Sequence, residues 1–127
     1  MTMVAATVIA FEDKMPYFLV KQAKGEDAEF FAVKVHRHEE TTSLGTILNA
    51  FKHAGVKNFD QWRIGELSAV KNQSGELMPL YSFEVSDRKA VQKELEGDLV
   101  FESADKIKDL LMTLNPSAFT SFEDLKD

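Results

Sequence analysis

Two groups of side chains in this sequence have types and spacings that can do chemistry. His36 and His38 stand at i, i+2, so on an extended segment both imidazoles point the same way. With Glu39, Glu40 or His53 nearby they are candidate ligands for a divalent metal. That spacing is also common by chance, and histidines near a strand end are usually just solvated. Asn49, Lys52 and His53 stand at i, i+3 and i+4, which on a helix gathers an amide, an ammonium and an imidazole on one surface. Trp62, Tyr81 and Phe83 have flat faces that can stack on a base, but aromatics alternating along strands are more often core. No Ser-His-Asp arrangement and no glycine-rich phosphate loop is visible. The chain has no cysteine, which excludes disulfides, thiolate metal sites and a cysteine nucleophile.

The elements that must position these residues follow from periodicity. Val4 to Phe11 and Tyr17 to Val20 are apolar strands around the turn Glu12-Asp13-Lys14, and together they predict a hairpin. Glu29 to Val35 alternates at period two and predicts a third strand. Leu44, Ile47, Leu48 and Phe51 then fall at i, i+3, i+4 and i+7, one face of a helix. Thr41, Thr42 or Ser43 can cap it, and Gly55 can end it in the left-handed conformation. Asn49, Lys52 and His53 lie roughly opposite its apolar stripe.

Trp62 to Val70 and Leu80 to Val85, around Asn72-Gln73-Ser74-Gly75, predict a second antiparallel pair. Asp87 to Gly97 is mixed in charge and reads as a solvent-facing short helix or loop. Asp98 to Glu102 is a short strand. After Ser103, a cap candidate, Ala104, Ile107, Leu110, Leu111 and Leu114 share a helical face that Asn115-Pro116 ends. Three strands, a helix, three strands and a helix describe an α+β domain, or a mixed sheet between two helices.

Composition narrows the function classes. Among 127 residues, 44% are hydrophobic and 28% charged, which is globular composition, and no linker or repeat divides the chain. We expect one domain over residues 1–127. The net charge of −6 opposes sequence-independent binding to a nucleic acid polymer or an anionic membrane. The N-terminal apolar run is too short to span a bilayer, and a cytoplasmic location is expected.

From Phe30 to Val56 the order of elements resembles the Nudix hydrolase family. That family's signature is a Gly, five residues, Glu, seven residues, then Arg-Glu-apolar-any-Glu-Glu-any-Gly-apolar. Glu40 stands at the first Glu, Ala50 at the apolar position, and Gly55-Val56 at the closing pair. Lys34 replaces the Gly, Leu48 the Arg, Asn49 the adjacent Glu, and Lys52-His53 the paired Glu. The order of strands and helices is similar to the family's from about residue 3 to 115. The resemblance implies a Nudix-like α/β/α sandwich with a mixed sheet between helices.

In the family those helix carboxylates hold divalent metals that bridge a diphosphate and activate water. An ammonium in their place repels Mg²⁺, a hard cation that requires oxygen ligands. The resemblance therefore implies a catalytically degenerate protein with no cofactor expected. It would bind a nucleotide or other phosphorylated small molecule through Asn49, Lys52 and His53, or act as an interaction domain. The alternatives are an ordinary solvated helix face, or an atypical hydrolase cleaving a nucleoside diphosphate derivative with Mg²⁺ or Mn²⁺. The hydrolase would use Glu40, His36, His38 or a displaced base such as Glu66, Glu76 or Glu84. A homodimer is left open by the sequence.

Overall fold

The central strand explains most of the architecture. β1 (Thr2–Glu12) turns Val4, Ala6, Val8 and Ala10 to one side and Ala5 to the other, and all five are buried. A strand apolar on both faces is stable only inside a covered sheet. In the computed structural model, which describes residues 2–25, 27–35, 42–71 and 75–114 and omits the side chains of Thr2 and Glu66, β1 lies inside such a sheet.

Along one edge of β1, Ala5 to Ile9 pair in parallel with β5 (Leu77–Glu84). Along the other, β1 changes partner partway. Thr2 to Ala6 pair antiparallel with β3 (Phe31–Val35), and Ile9 to Glu12 pair antiparallel with β2 (Met15–Lys21). Thr7 falls at the changeover, where its buried hydroxyl donates to the Leu19 carbonyl at 2.9 Å. The β1–β2 hairpin closes through Asp13 and Lys14, both at positive φ, as a two-residue loop of matching twist requires. β4 (Arg63–Lys71) pairs with β5, and β6 (Leu99–Ser103) with β2, both antiparallel. The order is β4-β5-β1-β2-β6, with β3 beside β1.

Helices cover the two faces unequally. α1 (Ser43–His53) and α2 (Arg88–Glu94) lie on the Val4/Ala6/Val8 face. Thr42 caps α1, its side chain accepting from the Gly45 N–H at 3.0 Å. Ile47 and Phe51 are fully buried, and Phe51 meets the rings of Phe31, Trp62 and Phe83 at centroid distances of 5.3, 5.2 and 6.1 Å. On the Ala5 face the cover is a 3-10 turn (Ala104–Lys106) and α3 (Lys108–Leu111).

The last helix departs from expectation. The sequence predicts one continuous helix from Ala104 to Leu114, but the chain breaks at Ile107, with φ −122° and ψ 35°, and becomes extended at Leu114, which bridges Val70. Ile107, buried, and Leu110, Leu111 and Leu114, partly buried, still face the same core. A 3-10 turn followed by one α turn preserves the inward spacing without the continuous ladder. The charged stretch from Asp87 to Gly97 also differs from a solvated reading. Val91 is buried, Arg88 is bonded to Glu12 at 2.6 Å and lies 4.4 Å from the Tyr17 ring centroid, and Gln92 bonds the outer edge of β6. Among the described residues, no helix is long and apolar enough to cross a membrane.

Candidate ligand site

Asn49, Lys52 and His53 are all exposed on the outer surface of α1, as their spacing predicts. None of them lines any of the three main concavities of the described residues. Lys52 and His53 occupy the last turn of the helix. The free carbonyls there concentrate partial negative charge, which favours a cation on the helix but opposes an incoming phosphate. From Ser43 to His53 the helix carries no Asp or Glu. An amide, an ammonium and an imidazole are not a donor set for a hard divalent cation.

His36, His38, Glu39 and Glu40 lie outside the described residues. Among the described residues, no group of three His, Cys, Asp or Glu side chains is placed to hold a metal ion. Glu76 and Glu84 sit at opposite ends of β5, about 26 Å apart at the usual strand rise, so they do not act together. Trp62, Tyr81 and Phe83 all pack into the α1 core, which is the structural role and not a stacking platform.

Two larger concavities remain, one on each face. The cleft of about 750 Å³ beside α2 is lined by Trp62, Lys89, Lys93, Asp87 and Glu94. Its carboxylates are already used. Asp87 accepts from the Ala90 N–H at 3.1 Å to cap α2, and Glu94 accepts from the Lys57 N–H at 3.2 Å, joining the ends of the two helices. Its charges cancel.

The cleft on the α3 face, about 570 Å³, is of a different kind. β3 and β2 diverge there beyond the Thr7 changeover, held together by Lys21 and Glu29, whose backbones exchange hydrogen bonds of 2.7 and 3.0 Å. Phe30, Met78 and Leu110 supply apolar walls, and Lys21, Lys71 and Glu29 are exposed polar side chains of the lining. The lining thus has two cations against one carboxylate in a chain that is acidic overall. An apolar concavity with a few convergent polar groups is the usual form of a small-molecule site. Sequence reasoning missed it because its residues come from six separate elements, β1 to β5 and α3, with no motif linking them. The only local signal was a lysine at each of two strand ends, Lys21 and Lys71.

The chain is similar to a solved structure of C. elegans Ap4A hydrolase, with a TM-score of 0.58 and 13% identity, over 99% of this chain and 98% of that one. It is also similar to the C-terminal domain of mouse MUTYH in the crystal structure of its complex with human PCNA. There the TM-score is 0.52 and the identity 11%, over 98% of this chain and 88% of that one. No protein-family model matches the chain, and no curated protein does. At these identities the likeness establishes the fold, a Nudix-like α/β/α sandwich, and not the chemistry.

Proposed function

We propose that this Nudix-like domain binds a nucleotide or other phosphorylated small molecule without hydrolysing it. The observation that carries the reading is α1, where Asn49, Lys52 and His53 stand at the positions the family's signature gives to metal-binding carboxylates. The α3-side cleft supports it. An apolar ring fits against Phe30, Met78 and Leu110, a phosphate pairs with Lys21 and Lys71, and Glu29 accepts from a hydroxyl or amine of the ligand. The outer surface of α1 is the competing position for the phosphate.

Thermal melting with a panel of nucleotides, without divalent metal, tests this. A ligand at a hundredfold excess over its Kd stabilises the folded state by about 2.7 kcal/mol. Lys21→Glu and Lys71→Glu should abolish the shift while Lys52→Glu leaves it intact. The reverse pattern moves the site to α1. Metal-dependent release of phosphate or pyrophosphate, lost in Glu40→Gln, overturns the non-hydrolytic reading in favour of an atypical hydrolase using Mg²⁺ or Mn²⁺.

A second reading, an interaction domain, draws on the MUTYH domain, whose structure is that of a complex with another protein. It predicts no response to nucleotides or metals, with a stable homodimer or a captured protein partner instead.

A further inference from the structure

Charge and hydrogen-bonding groups are unevenly placed in the α3-side cleft. Among the described residues, Met3, Phe30, Ala32, Val70, Met78 and Leu110 give it walls without a hydrogen-bonding side chain, and Phe30 and Val70 are buried. Thr113 adds a hydroxyl, but its proton is already donated to the Leu110 carbonyl at 2.6 Å. Backbone groups of the lining are engaged as well. Those of Lys21 and Glu29 bond each other, and the Thr113 carbonyl accepts from the Lys71 N–H at 3.1 Å. Ala32 pairs with Ala5 in the sheet, and Val70 with Met78. The charged side chains of the lining, Lys21, Lys71 and Glu29, are all exposed.

Such a cleft discriminates between bodies that carry the same phosphate. A nucleobase has donors and acceptors along its edges. Each one taken from water and left without a partner weakens binding about tenfold or more. A hydrocarbon body has none, and it gains from all the apolar surface it buries. Met3 and Met78 add unbranched, polarisable walls that adjust to aliphatic or aromatic shapes. The volume, about 570 Å³, is within the usual range for a small-molecule site.

We propose that the ligand is a small organic phosphate with a hydrocarbon body, aliphatic or aromatic, rather than a nucleotide. This choice rests on the reading that the α3-side cleft holds the ligand. The body lies against Phe30, Met78 and Leu110. The phosphate stays with the exposed lysines, two cations against one carboxylate in a chain of net charge −6. Ala32 lines the cleft with a single methyl group, so a larger side chain there takes space that the body needs.

Calorimetric titration of the full chain, without divalent metal, compares hexyl phosphate and 1-naphthyl phosphate with AMP and UMP. The hydrocarbon phosphates should bind at least tenfold more tightly than either nucleotide. Lys21→Glu combined with Lys71→Glu should weaken them at least tenfold, and so should Ala32→Leu, whose melting curve reports whether it is folded. AMP or UMP binding as tightly as the hydrocarbon phosphates, with the same dependence on the two lysines, overturns this choice of ligand and leaves the cleft as the site. Indifference to Ala32→Leu in a folded variant also overturns it. Binding of neither kind, or binding that survives the lysine substitutions, removes the cleft as the site and the choice of ligand with it.

Discussion

On one face of the sheet, α1 and α2 press Ile47, Phe51 and Val91 into a layer of aromatic rings; on the other, a 3-10 turn and a four-residue helix lay Ile107 and Leu110 over Ala5, Val20 and Val70. The first arrangement interlocks Phe31, Phe51, Phe59, Trp62 and Phe83, with neighbouring ring centroids between 4.9 and 6.1 Å apart. The second leaves a cleft of about 570 Å³. A layer of interlocked rings holds a sheet rigid, and the cleft of that face, about 750 Å³, lies at the margin of the rings beside α2. A short cover supports less of the sheet but keeps a concavity. The two concavities differ in charge: the one beside α2 balances two lysines with two carboxylates, and the one on the α3 face sets two lysines against one carboxylate.

Replacing Phe51 should separate the two faces most sharply. It is completely buried and touches three other rings, so Phe51→Ala should lose about 3–5 kcal/mol in denaturant unfolding. Leu110→Ala, on a half-exposed residue of the α3 face, should lose only about 1 kcal/mol while enlarging the cleft. Equal losses would mean that both faces carry the same share of stability, and the contrast would fail.

The next largest effect is expected where the two helices of the aromatic face meet. Gly55 follows α1 with φ +117°, a conformation that side chains strain to adopt, and a Cβ there would collide with the Glu94 carbonyl oxygen. The neighbouring Ala54 carbonyl accepts from the Glu96 N–H at 2.8 Å, so the ends of α1 and α2 cannot move apart freely. Gly55→Ala should destabilise by about 3 kcal/mol, read from the shift in thermal midpoint. Any nucleotide-induced stabilisation should survive it, because the α3-side cleft takes no residue from this junction. Loss of that response along with stability would instead tie the ligand site to the α1 side.

The aromatic face was the more legible of the two in the sequence. Leu44, Ile47, Leu48 and Phe51 announced both the helix and its buried side, and Gly55 announced its end. Local periodicity was enough because α1 is regular over its full length. On the other face the same logic misled. Ala104, Ile107, Leu110, Leu111 and Leu114 keep a helical spacing, yet Leu114 belongs to a bridge with Val70, and the ladder breaks at Ile107. Periodicity reports which side chains turn inward, not which backbone groups bond. The parallel pairing of β1 with β5 and the partner change at Thr7 join residues far apart in sequence, and no local pattern specifies them. The cleft depends on both features, so it was the least readable part.

The smallest expected effect is electrostatic and falls on the lightly covered face. Asp105 is exposed in the turn that precedes α3. The Ser103 side chain is the largest influence holding its carboxyl below the usual value; desolvation, the next largest, opposes it, and its own backbone N–H, Lys106 and Lys108 add to the lowering. A carboxyl whose folded value lies below its unfolded one favours folding when ionised. Its contribution is therefore complete above the ordinary carboxylate range and disappears as the pH falls through the lowered value. Ser103→Ala should let Asp105 titrate at higher pH in an NMR titration. The melting temperature near neutrality should barely move, since an exposed carboxylate is well screened by solvent. If Asp105 titrates unchanged in Ser103→Ala, the two lysines rather than the hydroxyl hold it down. If melting falls sharply instead, the turn stabilises the α3 face more than its short length suggests, and the two faces of the sheet are more alike than their packing implies.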